Sequence, residues 1–325
     1  MTMWISSTIC DKFKRIKKNK IIDKAPNLYI ENLKKLSVEI NNNVPSDRVA
    51  TNDMYGHAYH IKKYVEIEED KVLNCAIEHG SNIGNRFVGI DEVIHPVKTV
   101  LAFSEHRKKV IQELTQKTVI PVGPYISYAD SYCSNEEIQR RKQKNGRTLL
   151  VFPSHSITGA NAKYDMDNFI LEINKVKKDF DKVMVCLFYQ DVRIGLADVY
   201  KKQGYEVVCA GYIYDKFFLS RLKMILQLSD AVIVNGYSTG VAYALCLDKP
   251  VYFYQQRITY TNELNYNFMK RKRDYNYLDE LVEISSDRYF GNLQKQKEWG
   301  NYLFGFDCVK TKESLGEILK PLVRW

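Results

Sequence analysis

The sequence predicts an α/β protein, and its clearest part is a parallel sheet with helices packed on both faces. From residue 148 to 254, short runs of β-branched and aromatic residues alternate with longer stretches whose apolar residues recur at helical spacing. The short runs are apolar almost without interruption, which is typical of strands covered on both faces. The chain has 325 residues, 45% of them hydrophobic, which is enough for two domains that each bury a core.

Five strands and the helices between them follow from this alternation. Apolar residues recur with a helical period in residues 166–180 and again in 217–226, and Gly204 stands where a helix should end. Strands connected by such helices lie parallel, because each helix returns the chain to the same end of the sheet. The predicted strands are residues 148–152, 182–188, 205–210, 231–235 and 250–254.

The first half is predicted to be a second, smaller α/β unit. Its strands are residues 72–77, 99–103 and 117–122, with a helix at 105–114. A capping box beginning at Ser134 opens a charged helix, and the polar residues 143–147 then break the pattern. We therefore expect an N-terminal domain of residues 1–145, a C-terminal domain of 146–290, and a C-terminal segment of 291–325. The helices of that segment, at 293–304 and 312–323, are candidates for crossing back to the first domain.

The charge and the cysteines limit the class of protein. The 48 Lys and Arg residues outnumber the 39 Asp and Glu residues, and the resulting charge of +9 favours nucleotides, anionic lipid or nucleic acid as partners. The seven cysteines show no Cys-X-X-Cys pair and no zinc-ligand spacing, so we expect reduced thiols, a cytoplasmic protein and no structural zinc. No apolar run approaches the roughly 18 residues of a spanning helix, so the chain is not expected to cross a membrane.

Residues 1–20 form a candidate amphipathic helix. Four apolar residues fall on one face, and six basic residues fill the rest. Such a helix either lies on an anionic bilayer surface or packs on its own domain with a solvated basic side, and the sequence leaves both open. It is not a secretory signal, because the apolar stretch is too short and its charges follow it.

The best candidate binding site follows the predicted strand 231–235. In an open parallel sheet, ligands collect at the carboxyl ends of the strands, where the N-termini of helices favour anions. Two glycines in this turn let the backbone approach a ligand closely, and the hydroxyls can cap the helix and donate to phosphate oxygens. A diphosphate would fit there, although an ordinary capped turn has the same composition. The candidate donor-binding residues are Gly236, Tyr237, Ser238, Thr239 and Gly240.

Two other loops of the same sheet are predicted to lie beside this candidate site, at the carboxyl ends of the strands. Ser154, His155 and Ser156 follow the first strand, and the His155 imidazole is a candidate for bonding a phosphate or assisting a leaving group. An exposed loop histidine is the alternative. Gly211 follows the third strand, which ends at the same edge of the sheet, so Gly211 is also a candidate donor-binding residue.

The candidate catalytic base is His79 in the first half. It follows the predicted strand 72–77 and precedes a glycine, and an imidazole, which ionises near neutral pH, can take a proton from an attacking hydroxyl. Glu78 is a rival base, and a histidine held by backbone groups in a turn is the structural alternative. His57 lies in a Tyr- and Gly-rich segment that either contacts the acceptor or is a surface loop.

The motifs of several other enzyme classes are missing from the chain. There is no GxGxxG after a strand, no GxxxxGK[ST] and no HExxH, which argues against NAD enzymes, P-loop NTPases and zinc proteases. The lack of a DxD-type acidic pair between apolar strands argues against a metal-bridged diphosphate. We therefore expect neither a metal nor a cofactor beyond the activated donor itself.

The segments 228–239 and 247–254 resemble the late donor-binding stretch of the bacterial CDP-glycerol glycerophosphotransferases, which are teichoic-acid polymerases, and of related capsule glycosyltransferases. In that family an apolar strand ends in an Asp-Tyr-Ser-Ser-like turn, a helix follows, and a Lys-Pro-aliphatic strand comes next. Here Asn235 and Gly236 stand where the family usually has Thr-Asp, and Thr239 replaces a serine. His79-Gly80 is similar to a His-Gly pair whose histidine is the family's proposed base, and residues 120–125 resemble its Gly-Tyr-Pro turn.

The resemblance implies a GT-B fold, in which two Rossmann-like domains with parallel sheets face an interdomain cleft. It further implies a metal-independent glycosyltransferase that moves a sugar from a nucleotide-activated donor to a cell-surface glycan of capsule, O-antigen or lipopolysaccharide type. The second domain would hold the donor, and the first would hold a glycan or lipid-linked glycan acceptor through Gly80, Ser81 and His57. Nucleic acid would not be a partner, and the protein would be cytoplasmic or peripheral on the inner face of the cell membrane.

Three other functions stay open at this point. A polyol-phosphate transferase would use a CDP-alcohol donor in the same architecture. A nucleotide-sugar 2-epimerase would need several carboxylates in the cleft, and few are visible in the sequence. A non-catalytic basic protein would bind nucleic acid or a membrane surface through residues 1–20 and the basic run 270–273, although no nucleic-acid recognition signature is present.

Overall fold

The computed structural model describes residues 30–38, 47–83, 93–157, 159–262, 267, 275–285 and 289–324. The candidate membrane helix at 1–20 and the basic run 270–273 lie outside these residues. The described chain is a mixed α/β structure whose two main sheets are parallel, so the predicted α/β class is confirmed. The arrangement of two domains facing a cleft stays a prediction.

The smaller sheet lies in the first half and has three parallel strands in the order β2-β3-β4. The predicted strand 72–77 is divided into two strands in the structure. The first of them, β1, is separate from this sheet, and the second, β2, belongs to it. The strands of this half are β1 (Val72–Leu73), β2 (Ala76–Ile77), β3 (Thr99–Ala102) and β4 (Thr118–Pro121).

The larger sheet has five parallel strands, all at the predicted positions to within one or two residues. Its order is β10-β9-β5-β7-β8, so its first strand is central, as in a Rossmann-type sheet. A short antiparallel pair, β6 with β11, lies beside it. The strands of this half are β5 (Thr148–Phe152), β6 (Ala162–Lys163), β7 (Lys182–Leu187), β8 (Glu206–Cys209), β9 (Ala231–Val234), β10 (Val251–Phe253) and β11 (Thr259–Tyr260).

Several helices begin at side-chain caps that the sequence supplies. Ser134 Oγ accepts a hydrogen bond from the Glu137 N–H at 3.3 Å, as the predicted capping box requires, and Ser104 Oγ does the same for the Arg107 N–H at 3.1 Å. The helices are α1 (Leu33–Leu36), α2 (His57–Tyr64), α3 (Glu105–Gln112), α4 (Asn135–Asn145), α5 (Met166–Val176), α6 (Tyr189–Arg193), α7 (Leu196–Lys202), α8 (Phe218–Leu228), α9 (Thr239–Cys246), α10 (Tyr275–Ser285), α11 (Leu293–Phe304) and α12 (Lys312–Leu319).

The last predicted helix, 312–323, is too long by four residues. It ends at Leu319, a short 3-10 turn follows, and the chain then forms strand β12 (Val323–Arg324), which pairs antiparallel with β1. Pro321 accounts for this change, because proline has no N–H to donate and does not continue an α-helix. The Asn74 N–H donates to the Leu322 carbonyl at 2.8 Å, so the C-terminal segment packs against the first half.

The two halves share one hydrophobic core. Strand β5 alternates its side chains, so that Leu150 contributes to the cluster on one face of the sheet and Val151 to the cluster on the other. The first of these clusters also includes Leu101 of β3, from the smaller sheet. The six cysteines among the described residues carry free thiols, four of them buried.

Candidate functional site

A cavity of about 480 Å³ opens at the carboxyl ends of strands from both sheets. The loop after β2 lines it from the first half, and the loops after β5, β7, β8 and β9 line it from the second. A pocket of this volume, where the ends of parallel strands meet helix N-termini, is the size and place at which small ligands bind in α/β proteins. The lining residues predicted from the sequence are His57, His79, Gly80, Ser81, His155, Tyr237, Ser238, Thr239 and Gly240.

The strand order reverses next to this cavity. Strand β5 pairs with β7 on one side and with β9 on the other, so the loops after β5 and β9 lie side by side. They are joined by the Ser154 N–H, which donates to Asn235 Oδ1 at 2.7 Å. The crevice at such a reversal is the usual ligand site of open α/β sheets.

Helix α9 starts at this reversal with its first backbone N–H groups close to the cavity. Ser238 occupies the N-cap in an extended conformation, φ −150° and ψ 167°, but its side chain makes no capping hydrogen bond. Its hydroxyl is therefore not used in holding the helix. A helix N-terminus carries a partial positive charge and unpaired N–H donors, both of which favour an anion.

The turn carrying His79 is bonded directly to the start of α9. The Ser81 N–H donates to Thr239 Oγ1 at 3.2 Å, and the Tyr237 hydroxyl donates to the Ser81 carbonyl at 2.8 Å. Ser81 Oγ also lies 2.8 Å from the Tyr237 hydroxyl. These bonds bring His79 and Ser238, which are distant in sequence, onto one cavity.

Glu78 does not lie in the cavity lining. Its side chain is 1% exposed, and Oε1 accepts from Arg107 Nε at 2.6 Å, while Oε2 accepts from the Phe103 N–H at 3.1 Å. Both oxygens are thus engaged in the interior between β2 and α3. This geometry disfavours Glu78 as the rival base and assigns it to holding the turn in which His79 lies.

His57 is at the floor of the cavity and is 2% exposed, so the surface-loop alternative for this segment is wrong. Its Nε2 lies 3.5 Å from the Tyr243 hydroxyl. Burial, with smaller contributions from His79 and His60, lowers the pKa of His57 well below its ordinary value. The imidazole is therefore neutral at pH 7, and contact with an acceptor hydroxyl stays a prediction.

The neighbouring His60 makes the folded protein sensitive to acid. Burial lowers its pKa to about 3 from the usual 6.5, so between these values the unfolded chain binds a proton that the folded one does not. The contribution of His60 to stability therefore falls as the pH falls through this range, by roughly 1.4 kcal/mol per pH unit. We expect His60→Gln to show a shallower loss of unfolding free energy between pH 6 and 4 in urea titrations.

The difference between wild type and His60→Gln reports the effect of His60 alone. Burial raises the pKa of Asp47 to about 6, so that the folded state gains stability from this carboxyl as the pH falls towards 4. This opposite effect is present in wild type and variant alike and cancels in the difference. Equal pH slopes for the two proteins would contradict the neutral state of buried His60.

The other predicted donor residues divide between the cavity and the layer behind it. His155 lines the cavity, with Nδ1 2.8 Å from the Ser156 carbonyl and its ring 4.7 Å from that of Phe188. Ser156 is buried, where its N–H donates to the Asp191 carboxylate at 3.2 Å and its Oγ accepts from the Ala162 N–H. Ser156 therefore supports the loop rather than lining the cavity.

Ser154, Gly236 and Gly211 also lie behind the cavity surface. The Ser154 hydroxyl sits where a Cβ of Gly236 would be, so this close approach requires glycine. At Gly211, φ is +116° and a Cβ would come within 2.6 Å of the Arg221 guanidinium, which pairs with Asp215. These three residues shape the loops after β5, β9 and β8.

Much of the lining is apolar and was not identified from the sequence. No Asp, Glu, Lys or Arg is among the lining residues in the part of the chain that the structure describes, and the N-terminus of α9 contributes a partial positive charge there. Hydrophobic periodicity predicts that such residues are buried, but it does not show which of them line a cavity. The residues missed include Met54, Tyr55, Phe188, Ile213, Phe218, Leu219, Leu222 and Tyr243.

No group of three or more His, Cys, Asp or Glu side chains in the described ranges is arranged to hold a metal ion. None of the described helices combines the length and the apolar character needed to cross a bilayer.

No protein-family model and no curated protein matches this chain. Among solved structures, it is similar to the wall teichoic acid polymerase TagF, with a TM-score of 0.42 and 11% identity over 78% of this chain and 68% of that one. A single-site variant of TagF gives a TM-score of 0.45 and 9% identity over 78% and 69% of the two chains. The function proposed below rests on the cavity and its residues.

Proposed function

We propose that this protein is a transferase that moves a sugar from a nucleotide-activated donor to a hydroxyl of a cell-surface glycan. The observation that carries the proposal is the bonding of the His79 turn to the start of α9 through Ser81, Tyr237 and Thr239. It supports the proposal because His79 and the first residues of α9 line the same cavity.

The donor diphosphate binds at the start of α9 in this proposal. Backbone N–H groups of the first turn and the unengaged Ser238 hydroxyl donate to its oxygens, with His155 on the neighbouring loop. Each hydrogen bond to a charged group contributes roughly 1.5–3 kcal/mol. Tyr237 lies beside this site, but its hydroxyl is bonded to Ser81, so we give it the role of joining the two turns.

The reaction uses one proton transfer and one displacement. His79 takes the proton from the acceptor hydroxyl, and the oxygen forms a bond to the anomeric carbon of the sugar. The bond between that carbon and the diphosphate oxygen breaks, and its electron pair leaves with the nucleotide diphosphate. The N-terminus of α9 stabilises the charge that builds on this leaving group.

The donor class is tested by calorimetry. Full-length protein in EDTA is titrated with CDP-, UDP-, GDP- and CMP-linked donors, and we expect micromolar to millimolar binding of one class. Binding of only a CDP-alcohol would assign the polyol-phosphate reaction to the same cavity. The absence of binding by every donor would contradict the transferase proposal.

Ser238→Ala tests the place of the diphosphate. We expect donor binding to weaken about tenfold, or roughly 1.4 kcal/mol, because one hydrogen bond to a charged oxygen is lost. Thermal stability should change little, since the Ser238 side chain makes no capping bond. The matched control is Ser134→Ala, which removes the capping hydroxyl of α4 and should reduce stability without changing donor affinity. Unchanged affinity in Ser238→Ala would contradict this placement.

A further inference from the structure

The ring of Tyr55 lies parallel to the imidazole of His79. The two ring centroids are 5.4 Å apart, and the planes differ by 8°. Offset parallel rings attract each other and resist rotation out of the stacked plane. Tyr55 therefore restrains the orientation of the candidate base.

Tyr55 reaches this position through a backbone conformation that non-glycine residues rarely adopt. Its φ is 58° and its ψ 11°, within the left-handed region, directly after Met54 in an extended conformation. The Tyr55 N–H donates to the Ile213 carbonyl, and Gly56 has no room for a Cβ against the Lys216 carbonyl. A sparsely populated conformation persists only where the surroundings impose it, and such places are often functional.

The stack is supported from both sides. The Tyr55 ring contacts that of Phe218 at 4.8 Å, and His57 at 5.7 Å. On the side of His79, Gly80 and Ser81 are held against α9 by the bond to Thr239 Oγ1. The imidazole thus lies between a fixed ring and a fixed turn.

We propose that Tyr55 is a positioning residue for His79. The stacked ring of Tyr55 holds the His79 imidazole in the orientation in which it receives the proton of the acceptor hydroxyl. This inference rests on the function proposed above. The tyrosine hydroxyl has no part in it, so phenylalanine should replace tyrosine without loss. Removal of the ring should release the imidazole while the donor site at α9 is unchanged.

Two kinds of variant separate the ring from the fold. Tyr55→Phe keeps the stack, whereas Tyr55→Gly removes the ring and suits the positive φ, as does Tyr55→Asn if the glycine variant does not fold. In ¹³C-histidine-labelled full-length protein, Tyr55→Gly should move the His79 ring resonance and its titration curve, and Tyr55→Phe should leave both near wild type. His79→Gln identifies the resonance.

The kinetic expectation follows from the loss of orientation. With the donor found by calorimetry, Tyr55→Gly should lower kcat roughly a hundredfold and leave the donor KM unchanged, as a misplaced catalytic group does. The matched control is Tyr59→Leu, since Tyr59 contacts His60 at 5.0 Å and should affect the His60 resonance instead.

The results for these variants test the positioning role of Tyr55 separately from the proposed transferase function. A His79 resonance unaltered in Tyr55→Gly, or equally altered in Tyr55→Phe, would overturn the positioning role, whether or not the protein has transferase activity. An altered resonance in a protein that binds no donor would support the positioning role and contradict the proposed function.

Discussion

His79→Ala is expected to reduce transfer roughly a hundred- to ten-thousand-fold, the usual contribution of a general base. Donor affinity should remain nearly unchanged, because the proposed diphosphate contacts belong to the start of α9 rather than to the imidazole. Steady-state rates give the first quantity and calorimetry the second. A loss confined to kcat would assign His79 to the chemical step.

The control for this variant is a histidine away from the cavity. His95 lies in a turn, where its Nδ1 accepts from the Val97 N–H at 3.4 Å, and it is not among the lining residues. His95→Ala should retain the wild-type rate. A His79→Ala enzyme that turns over at the wild-type rate would exclude His79 as the base.

Arg107→Met is expected to lower the free energy of unfolding by about 3 to 5 kcal/mol. Arg107 and Glu78 are each 1% exposed at the side chain, and their 2.6 Å contact neutralises both charges. Removal of the guanidinium leaves the Glu78 carboxylate buried without its counter-charge. Urea titration at constant pH measures the loss.

A second pair on the surface provides the matched control. Arg140 donates to Glu137 at 2.7 Å, but its side chain is 65% exposed. Arg140→Met should therefore cost less than about 1 kcal/mol. The double variant Glu78→Gln/Arg107→Met should recover part of the stability lost in Arg107→Met. Equal losses at the buried and exposed sites would contradict the structural role of Glu78.

The parts of the fold that the sequence predicts well are those fixed by local patterns. Strand β5 is bounded by Gly146 and Pro153 and is buried on both faces, so its apolar run coincides with the strand. The turn before α9 is predictable for a similar reason, because glycines and hydroxyl residues directly after an apolar strand are typical of a turn that opens a helix. His79 follows the same rule at the end of β2.

The parts that the sequence does not predict depend on contacts between distant residues. The proposed role of Tyr55 depends on two such contacts: its N–H donates to the Ile213 carbonyl, and its ring stacks on that of His79. Glu78 is a candidate base from the sequence alone, but in the structure it pairs with Arg107 of α3. The break between β1 and β2 arises from pairing with β12, which no local pattern reveals.

The pairing of Val72 with Arg324 has a consequence for biosynthesis. A ribosome completes β12 only after the entire larger sheet has emerged, so the nascent first half has no partner for β1 until translation of that last strand. Contacts between residues so far apart in sequence form late and slowly. The pairing of β1, which precedes the His79 turn in the chain, therefore waits until β12 has been translated.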